Sequence, residues 1–194
     1  MSESQITKKA LAGSIKQLME TIPLAKISIQ EIVDNCGLNR QTFYYHFKDK
    51  FDLVNWIYYS EVIESIADSR HYDNWSDGIL KILLHINKNR AFYINALNTP
   101  GQNAFDGYLF EVTHKLAMGV VNEVAEGMNV FDPDKNFIAD FYTHAFVGLT
   151  VQWIKKGMHD PPEIIVDRLK DLVEGSVFRA VTRYANPQHG KKAQ

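Results

Sequence analysis

Apolar residues recur at steps of three and four along almost the whole 194-residue chain, and this feature most restricts its fold. Such spacing puts them on one face of an α-helix, whereas a half-buried strand needs alternating apolar and polar residues. No stretch of the chain sustains that alternation. With 45% hydrophobic and 23% charged residues, the chain also has enough apolar material for a buried core. The sequence therefore predicts an all-α fold of about nine helices.

Local start and stop signals predict the first helices. An apolar stripe over residues 6–22 predicts a helix that stops before Pro23. Ser28 and Glu31 have the spacing of a capping box, which predicts a short helix over about 29–35. Gly37 can take the left-handed conformation that closes that helix.

The next two starts are equally local. Asn39 can cap a third helix that runs through about His46. Asp49 opens a fourth, long helix that reaches about Ser69. We expect residues 1–48 to form a small N-terminal domain, the head.

Residues 49–185 are expected to form a helical bundle, the body, and the polar segment 186–194 a mobile tail. Breaks rich in Gly, Pro, Asn or Asp fall at residues 71–74, 99–101, 129–133 and 159–162 and predict about four long helices. Two starts place an acid before a proline, as a cap followed by the first helical position: Asp132-Pro133 and Asp160-Pro161. The helices that follow would cover about 133–157 and 161–184.

Charge and cysteine usage exclude several classes. The formal net charge is −2, made of +2 over residues 1–50 and −4 over the remainder, so a mildly basic head precedes an acidic body. The single Cys36 excludes an internal disulfide and suits a reducing compartment. The N-terminus lacks the apolar stretch of a signal peptide, and no apolar window is long enough to span a membrane. These features predict a cytoplasmic protein without a membrane partner.

A helix-turn-helix pattern covers residues 29–47, with the turn at Gly37. Spaced apolar residues would form its shared core: Ile32, Val33, Leu38, Phe43 and Phe47. In such a unit the second helix enters the major groove, where Arg suits guanine, Gln and Asn suit adenine, and Tyr and His can donate to phosphates. The side chains left free to face DNA are Asn39, Arg40, Gln41, Thr42, Tyr44, Tyr45 and His46, and Lys48 and Lys50 follow as phosphate contacts.

The actual string is more specific than the pattern. TFYYHFKDKFDL over residues 42–53, preceded by CGLN over 36–39, resembles the TetR family of one-component transcriptional regulators. The resemblance implies a three-helix DNA-binding head, a regulatory and dimerisation body, and an added phosphate contact from Ser28 and a DNA contact from Gln30. The full set of expected DNA-contacting residues is Ser28, Gln30, Asn39, Arg40, Gln41, Thr42, Tyr44, Tyr45, His46, Lys48 and Lys50.

Three body segments, residues 51–59, 89–97 and 101–105, look like the branch of that family associated with dihydroxyacetone kinase operons in Gram-positive bacteria. This resemblance implies a regulator that activates or represses such genes. Its effector would be a small molecule or a kinase-related co-regulator protein.

The last two predicted helices carry more apolar positions than one core needs. The family resemblance puts a homodimer there, as a four-helix bundle with two helices from each subunit. A dimer is also what a palindromic operator requires, because one helix-turn-helix reads only a half-site. The alternative is one wide subunit core. The expected interface residues are Phe141, Leu149, Ile165, Leu169 and Leu172.

Aromatic and polar residues on otherwise apolar helix faces are the candidates for an effector pocket. Simple hydrogen bonding within the core is the alternative for each one. The candidates are Trp56, Tyr59, His85, Tyr93, Tyr108, His114, Tyr142, His144 and Trp153. A ligand that prefers one tilt of the fourth helix would change the separation of the two recognition helices.

Two other classes, an enzyme and a protein-interaction module, explain the sequence less well than a DNA-binding regulator. His85, His114 and His144 lie isolated on three helices, and the chain has no HExxH, Walker or GxSxG motif, so we expect no enzyme, metal or cofactor. A helical protein-interaction module without DNA binding would explain the acidic body. It would not explain the polar and aromatic set on the second helix of the head.

Overall fold

The structure is a computed structural model that describes residues 2–99 and 105–185. Its regular structure within those ranges is helical, without a strand, which confirms the all-α prediction. The α-helices are α1 (Glu3–Leu18), α2 (Ile29–Asn35), α3 (Arg40–His46), α4 (Lys50–Tyr58), α5 (Trp75–Lys88), α6 (Arg90–Leu97), α7 (Phe105–Val124), α8 (Asp132–Lys155), α9 (Pro162–Val173) and α10 (Ser176–Tyr184). The predicted tail, residues 186–194, and part of the predicted break at 99–101 lie outside the described residues.

The head follows its local signals closely. Both halves of the capping box between Ser28 and Glu31 are present, and Gly37 has the left-handed φ of 69° that ends α2. The Asn39 side chain caps α3 by accepting from the Thr42 amide at 2.8 Å. The 3-10 turn Leu24–Lys26 follows α1, and Ile6 is exposed although the predicted stripe included it.

The fourth helix reaches Ser69 as predicted, but not as one α-helix. After Tyr58 the chain continues as a π-helical segment, Tyr59–Ile63, and then as a 3-10 segment, Glu64–Ser69. We call residues 59–69 the α4 extension. It connects the head side of α4 to the centre of the body.

The body breaks its predicted helices at two places. Asn89 separates α5 from α6, and Gly175, with a left-handed φ of 67°, divides the predicted helix 161–184 into α9 and α10. The acid caps at Asp132 and Asp160 were wrong. Helix α8 begins at Asp132 itself, and α9 begins at Pro162 after Pro161, in both cases without a side-chain cap.

A single hydrophobic cluster runs from the head into the body, from Leu11 and Ile15 through Leu53 and Ile57 to Leu83 and Tyr93. A second cluster lies among α7, α8 and α10 around Val121, Ala139 and Val181. The head therefore packs directly on the body. None of the described helices is long and apolar enough to cross a membrane.

Candidate nucleic-acid interface and body cavity

Helix α3 is anchored by its apolar face. Phe43 and Phe47 are buried, and the Phe47 ring contacts the Trp56 ring of α4 edge-on at a centroid distance of 5.7 Å. The opposite face points outward, with Tyr44 50% and Tyr45 83% exposed. Exposed aromatic rings of this size are unusual on a surface with no partner, so this face has the properties of a recognition surface.

Neighbouring side chains hold that face in place. The Arg40 guanidinium lies 5.8 Å from the centre of the Tyr44 ring, and its Nη2 donates to the Tyr44 hydroxyl at 3.3 Å. The Thr42 hydroxyl donates to Asn39 Oδ1 at 3.1 Å. Because these contacts restrict rotamers before any ligand arrives, they lower the entropic cost of binding.

Ser28 caps α2, as the sequence predicts. Its amide and its hydroxyl both donate to Glu31 Oε2, each at 2.7 Å, so the capping box uses both donors. The same two hydrogen bonds hold the pKa of the Glu31 carboxyl below its usual value. The cap is confirmed, and the phosphate contact of Ser28 stays a prediction.

Lys50 also has a structural task that the sequence did not reveal. Its Nζ donates to the carbonyls of Ala25 and Ile27 at 3.0 and 2.7 Å, which ties α4 to the 3-10 turn. Burial lowers the pKa of Lys50, against the attraction of Glu31 and Asp49. Two of its three N–H donors are thus occupied inside the head.

Other predicted DNA-contact residues lie on α2, on α3 and directly after α3. Gln30 is exposed on α2, and its amide nitrogen donates to Asp34 at 2.7 Å. Gln41 and Lys48 are exposed, whereas His46 is half-buried against the Tyr45 ring. Gln30 therefore lies on the helix that packs against α3, the helix that carries Gln41 and His46.

Asn95 of α6 is a residue that sequence reasoning missed. Its Oδ1 accepts from the Leu24 amide at 2.7 Å, and its Nδ2 donates to the carbonyls of Met19 and Ile22 at 2.9 and 2.7 Å. One body side chain thus satisfies three backbone groups of the head. No local signal predicts such a contact, since it joins residues more than 70 positions apart.

A second polar contact crosses the same joint. Glu61, in the α4 extension, accepts from Lys16 of α1 at 2.8 Å and lies 3.4 Å from His85 of α5. Burial would raise the pKa of Glu61, but the hydrogen bonds and charges of His85 and Lys16 outweigh it and hold the pKa below its usual value.

The body contains a cavity of about 110 Å³ between the α4 extension, α5, α7, α8 and α10. Its walls are mainly aliphatic and aromatic, with a few polar groups: Tyr58, Ser69, Arg70, Thr113, Tyr142 and Thr150. Of the predicted effector residues, only Tyr142 lines it. The sequence missed Ser69, the last residue of the α4 extension, and Arg70, which follows it, because no pattern predicted the change of helix type after Tyr58.

The other predicted effector residues lie outside the cavity, and most of them contact other side chains or backbone groups of the protein. Trp56 packs at the joint under Lys8, Tyr93 is fully buried, and Tyr59 is exposed. His114 pairs with Asp140 at 3.2 Å, and His144 contacts the Asp140 carbonyl at 2.8 Å. Three more predicted effector residues lie outside the cavity. His85 lies beside Glu61, Tyr108 lies beside Tyr58, and the Trp153 indole donates to the Asp160 carbonyl.

Large apolar side chains are exposed on α8 and α10. Phe141 is 64% and Leu149 46% exposed, and Phe137 and Phe178 lie exposed on the same two helices. Leu172, near the end of α9, is also exposed. We name the exposed set Phe137, Phe141, Leu149 and Phe178 the α8–α10 face.

Three predicted interface residues do not belong to that face, and one of them, Leu172, is exposed on α9. Leu169 is buried inside the subunit, and Ile165 packs against the main core. Phe178 was missed because the break at Gly175, which turns α10 onto α7 and α8, was not predicted. Within residues 2–99 and 105–185, no group of three or more His, Cys, Asp or Glu side chains is placed to hold a metal ion.

A helix-turn-helix head with an exposed recognition helix, packed on a helical body, defines the class of DNA-binding transcriptional regulators. The chain matches the family "Bacterial regulatory proteins, tetR family" over residues 14–57 and the "Transcriptional regulator C-terminal region" over residues 73–175. It belongs to the TetR family, whose members are regulators and not enzymes.

Relatives agree with this assignment. The chain is 27% identical over 158 residues to the HTH-type dhaKLM operon transcriptional activator DhaS of Lactococcus lactis subsp. lactis (strain IL1403), covering 81% of this chain and 84% of the relative. A solved structure of dihydroxyacetone kinase operon activator DhaS superposes with a TM-score of 0.67 at 23% identity, covering 93% and 98% of the two chains. NalD, the secondary repressor of the MexAB-OprM multidrug efflux pump in Pseudomonas aeruginosa, superposes with a TM-score of 0.61 at 16% identity, covering 92% and 97%. The two superpositions support the fold.

Proposed function

We propose that the chain is a homodimeric regulator that binds a palindromic operator through residues 1–48, while residues 49–185 dimerise and receive the regulatory signal. The exposed, side-chain-ordered face of α3 carries this proposal. The DNA contacts would come from Arg40, Gln41, Tyr44 and Tyr45 at its centre, with Gln30, Asn39, Thr42, His46 and Lys48 around them. Lys50 would keep one donor for a phosphate.

The dimer follows from two facts about the recognition unit. One recognition helix reads one half-site, and a two-fold axis presents a second copy to the next half-site on the same side of the DNA. The α8–α10 face supports this arrangement, because its exposed rings would be buried by an identical face. A dimer through this face would form a four-helix bundle.

The regulated genes and the signal are the finer part of the proposal. The similarity to the DhaS activator favours control of dihydroxyacetone kinase genes in the cytoplasm, by activation or repression. A small molecule or a kinase-related co-regulator would act on the body and change the tilt of α4. Because α4 begins next to α3, that tilt sets the distance between the two recognition helices.

Genomic-fragment selection with purified protein, followed by footprinting, tests the proposal. We expect a palindromic footprint, with an affinity that falls linearly on a log–log plot against salt concentration. Tyr45→Ala should weaken operator binding about tenfold or more, since a hydrogen bond to a charged phosphate is worth about 1.5–3 kcal/mol. The matched control is Tyr59→Ala, which removes an exposed tyrosine of the body. Equal affinity of both variants would contradict the assignment of α3.

A further inference from the structure

The polar end of the body cavity is formed by two consecutive residues. Ser69 is buried, and its hydroxyl oxygen accepts from Lys81 Nζ at 2.9 Å, which leaves its O–H proton free to donate. Arg70 donates through Nη2 to the Ile63 carbonyl, while its Nε is buried and has no partner. The Ser69 hydroxyl and the Arg70 guanidinium therefore place two donors and one positive charge at one end of an apolar cavity.

No acidic side chain in the described part of the chain forms an ion pair with Arg70. A buried N–H without an acceptor costs free energy, and buried polar groups are nearly always paired. This end of the cavity therefore lacks a hydrogen-bond acceptor. A planar anion suits a guanidinium best, because its oxygens accept charge-assisted hydrogen bonds.

The backbone of this end is held against α5. A Cβ atom on Gly78 would lie only 2.5 Å from the Ser69 carbonyl oxygen, so only glycine allows this approach. Ser69 and Arg70 are thus fixed at the cavity wall. The two donors are ordered before a ligand arrives, which favours affinity.

The rest of the cavity selects against polar ligands. Ile82, Leu109, Leu116 and Val121 contribute to walls that offer few hydrogen bonds. A small hydroxyketone such as dihydroxyacetone would leave its hydroxyl groups unsatisfied there. The volume of about 110 Å³ is near that of a roughly 150 Å³ protein cavity that accepts benzene.

We propose that the cavity binds a small monocarboxylate with an apolar tail, the size of one aromatic ring or a chain of about five or six carbons. Its carboxylate accepts from the Arg70 guanidinium and the Ser69 hydroxyl, and its tail fills the apolar end. Because Ile63, Ser69 and Arg70 belong to or adjoin the α4 extension, the bound anion bears on the helix that leads to α3. That last consequence rests on the proposed regulatory function.

Calorimetric titration of the purified full chain tests the ligand class. The probes are sodium hexanoate and benzoate, their uncharged partners 1-hexanol and benzyl alcohol, and dihydroxyacetone. We expect the carboxylates to bind about tenfold or more tightly than the alcohols, because a hydrogen bond to a charged group is stronger than a neutral one. Equal affinities, no binding of the carboxylates, or binding of dihydroxyacetone alone would overturn the proposal.

Variants locate the site. Arg70→Met should remove the preference for carboxylate over alcohol, and Ala117→Leu, which fills the cavity from α7, should abolish binding of both. The control Arg168→Met changes an exposed arginine of α9 and should leave both affinities unchanged. A preserved carboxylate preference in folded Arg70→Met would refute the role of Arg70. If that variant does not fold, the affinities of the unsubstituted protein for the carboxylates and for the matching alcohols still test the proposal.

DNA binding is measured separately on the selected operator fragment. Carboxylate binding together with no DNA binding would support this inference and contradict the proposed function. Operator binding together with no carboxylate binding would do the reverse.

Discussion

The head and the body differ in how completely their buried polar groups are satisfied. Four buried side-chain atoms have no hydrogen-bond partner among the described residues: Asn55 Oδ1, Arg70 Nε, Asn87 Oδ1 and Tyr93 Oη. All four lie in the body, and none lies in residues 2–48. The buried side-chain polar atoms of residues 2–48 are therefore all hydrogen-bonded, whereas the body retains unpaired polar atoms of the kind that a ligand or a second conformation can pair.

The first prediction tests whether the α8–α10 face of the body is the dimer interface. Leu149→Glu places a charge on the α8–α10 face, and we expect the mass in sedimentation to fall to that of one chain. Operator affinity should fall about 100-fold or more, since the second half-site is then no longer held by the same molecule.

A matched leucine controls this experiment. Leu84 on α5 is 42% exposed, close to the 46% of Leu149, but lies away from α8 and α10. Leu84→Glu should keep the dimer and its DNA affinity. A normal dimer carrying Leu149→Glu would place the interface on another surface.

The second prediction breaks the joint between the two regions. Asn95→Ala leaves the Leu24 amide and the carbonyls of Met19 and Ile22 without their partner. We expect the free energy of unfolding to fall by about 2 kcal/mol, the order of cost for unpaired, partly buried polar groups. For a chain of this size the melting temperature should fall by about 4–8 °C, measured by calorimetry. Asn98→Ala changes an exposed asparagine at the end of the same helix, and an equal loss there would contradict the special role of Asn95.

The same contrast explains what could be predicted from sequence. The bounds of α2 and α3 followed from Ser28, Glu31, Gly37 and Asn39, because caps and left-handed glycines act within three or four residues. The class of fold and the recognition helix were equally accessible.

The body was harder to predict because its decisive contacts are distant. Gly175 and Asn89 interrupt long periodic stretches, and in such stretches a single break is a weak signal beside the apolar pattern. The cavity depends on Ser69 and Arg70 meeting α5, α7 and α8, and the Asn95 contact joins two regions far apart in the chain. Helical periodicity identifies buried faces. It does not say which buried polar side chain lines a space and which is hydrogen-bonded in the core.

The third prediction concerns pH at the joint. Since His85 and Lys16 hold the pKa of Glu61 below its usual value, the ionised carboxylate stabilises the folded state above the pKa of the unfolded chain. This stability is lost as the pH falls through the lower pKa of the folded state, below about pH 5. Glu61→Gln should therefore make the melting temperature fall less steeply as the pH is lowered. The change in the free energy of unfolding should be below about 1 kcal/mol, because Glu61 is partly exposed.

The control for acid stability is Glu111→Gln. Glu111 accepts from Lys115 one turn further along α7, at 2.6 Å and in an exposed position, so its loss should barely change the pH profile. A Glu61→Gln profile as steep as that of the unchanged protein would show that the joint does not depend on this carboxylate.

The smallest effect should come from Tyr93, and its sign is the informative part. Its hydroxyl is buried without a partner, so Tyr93→Phe removes a desolvated group and should raise the free energy of unfolding by up to about 1 kcal/mol. Tyr142→Phe is the matched change in the same body, but its hydroxyl bonds to Ser176 Oγ at 2.7 Å, so it should lower that free energy by about 1 kcal/mol. Urea unfolding of both variants gives the two signs. If Tyr93→Phe also destabilised the protein, its hydroxyl would have to be paired in solution, and the difference in polar satisfaction between head and body would be smaller than the structure indicates.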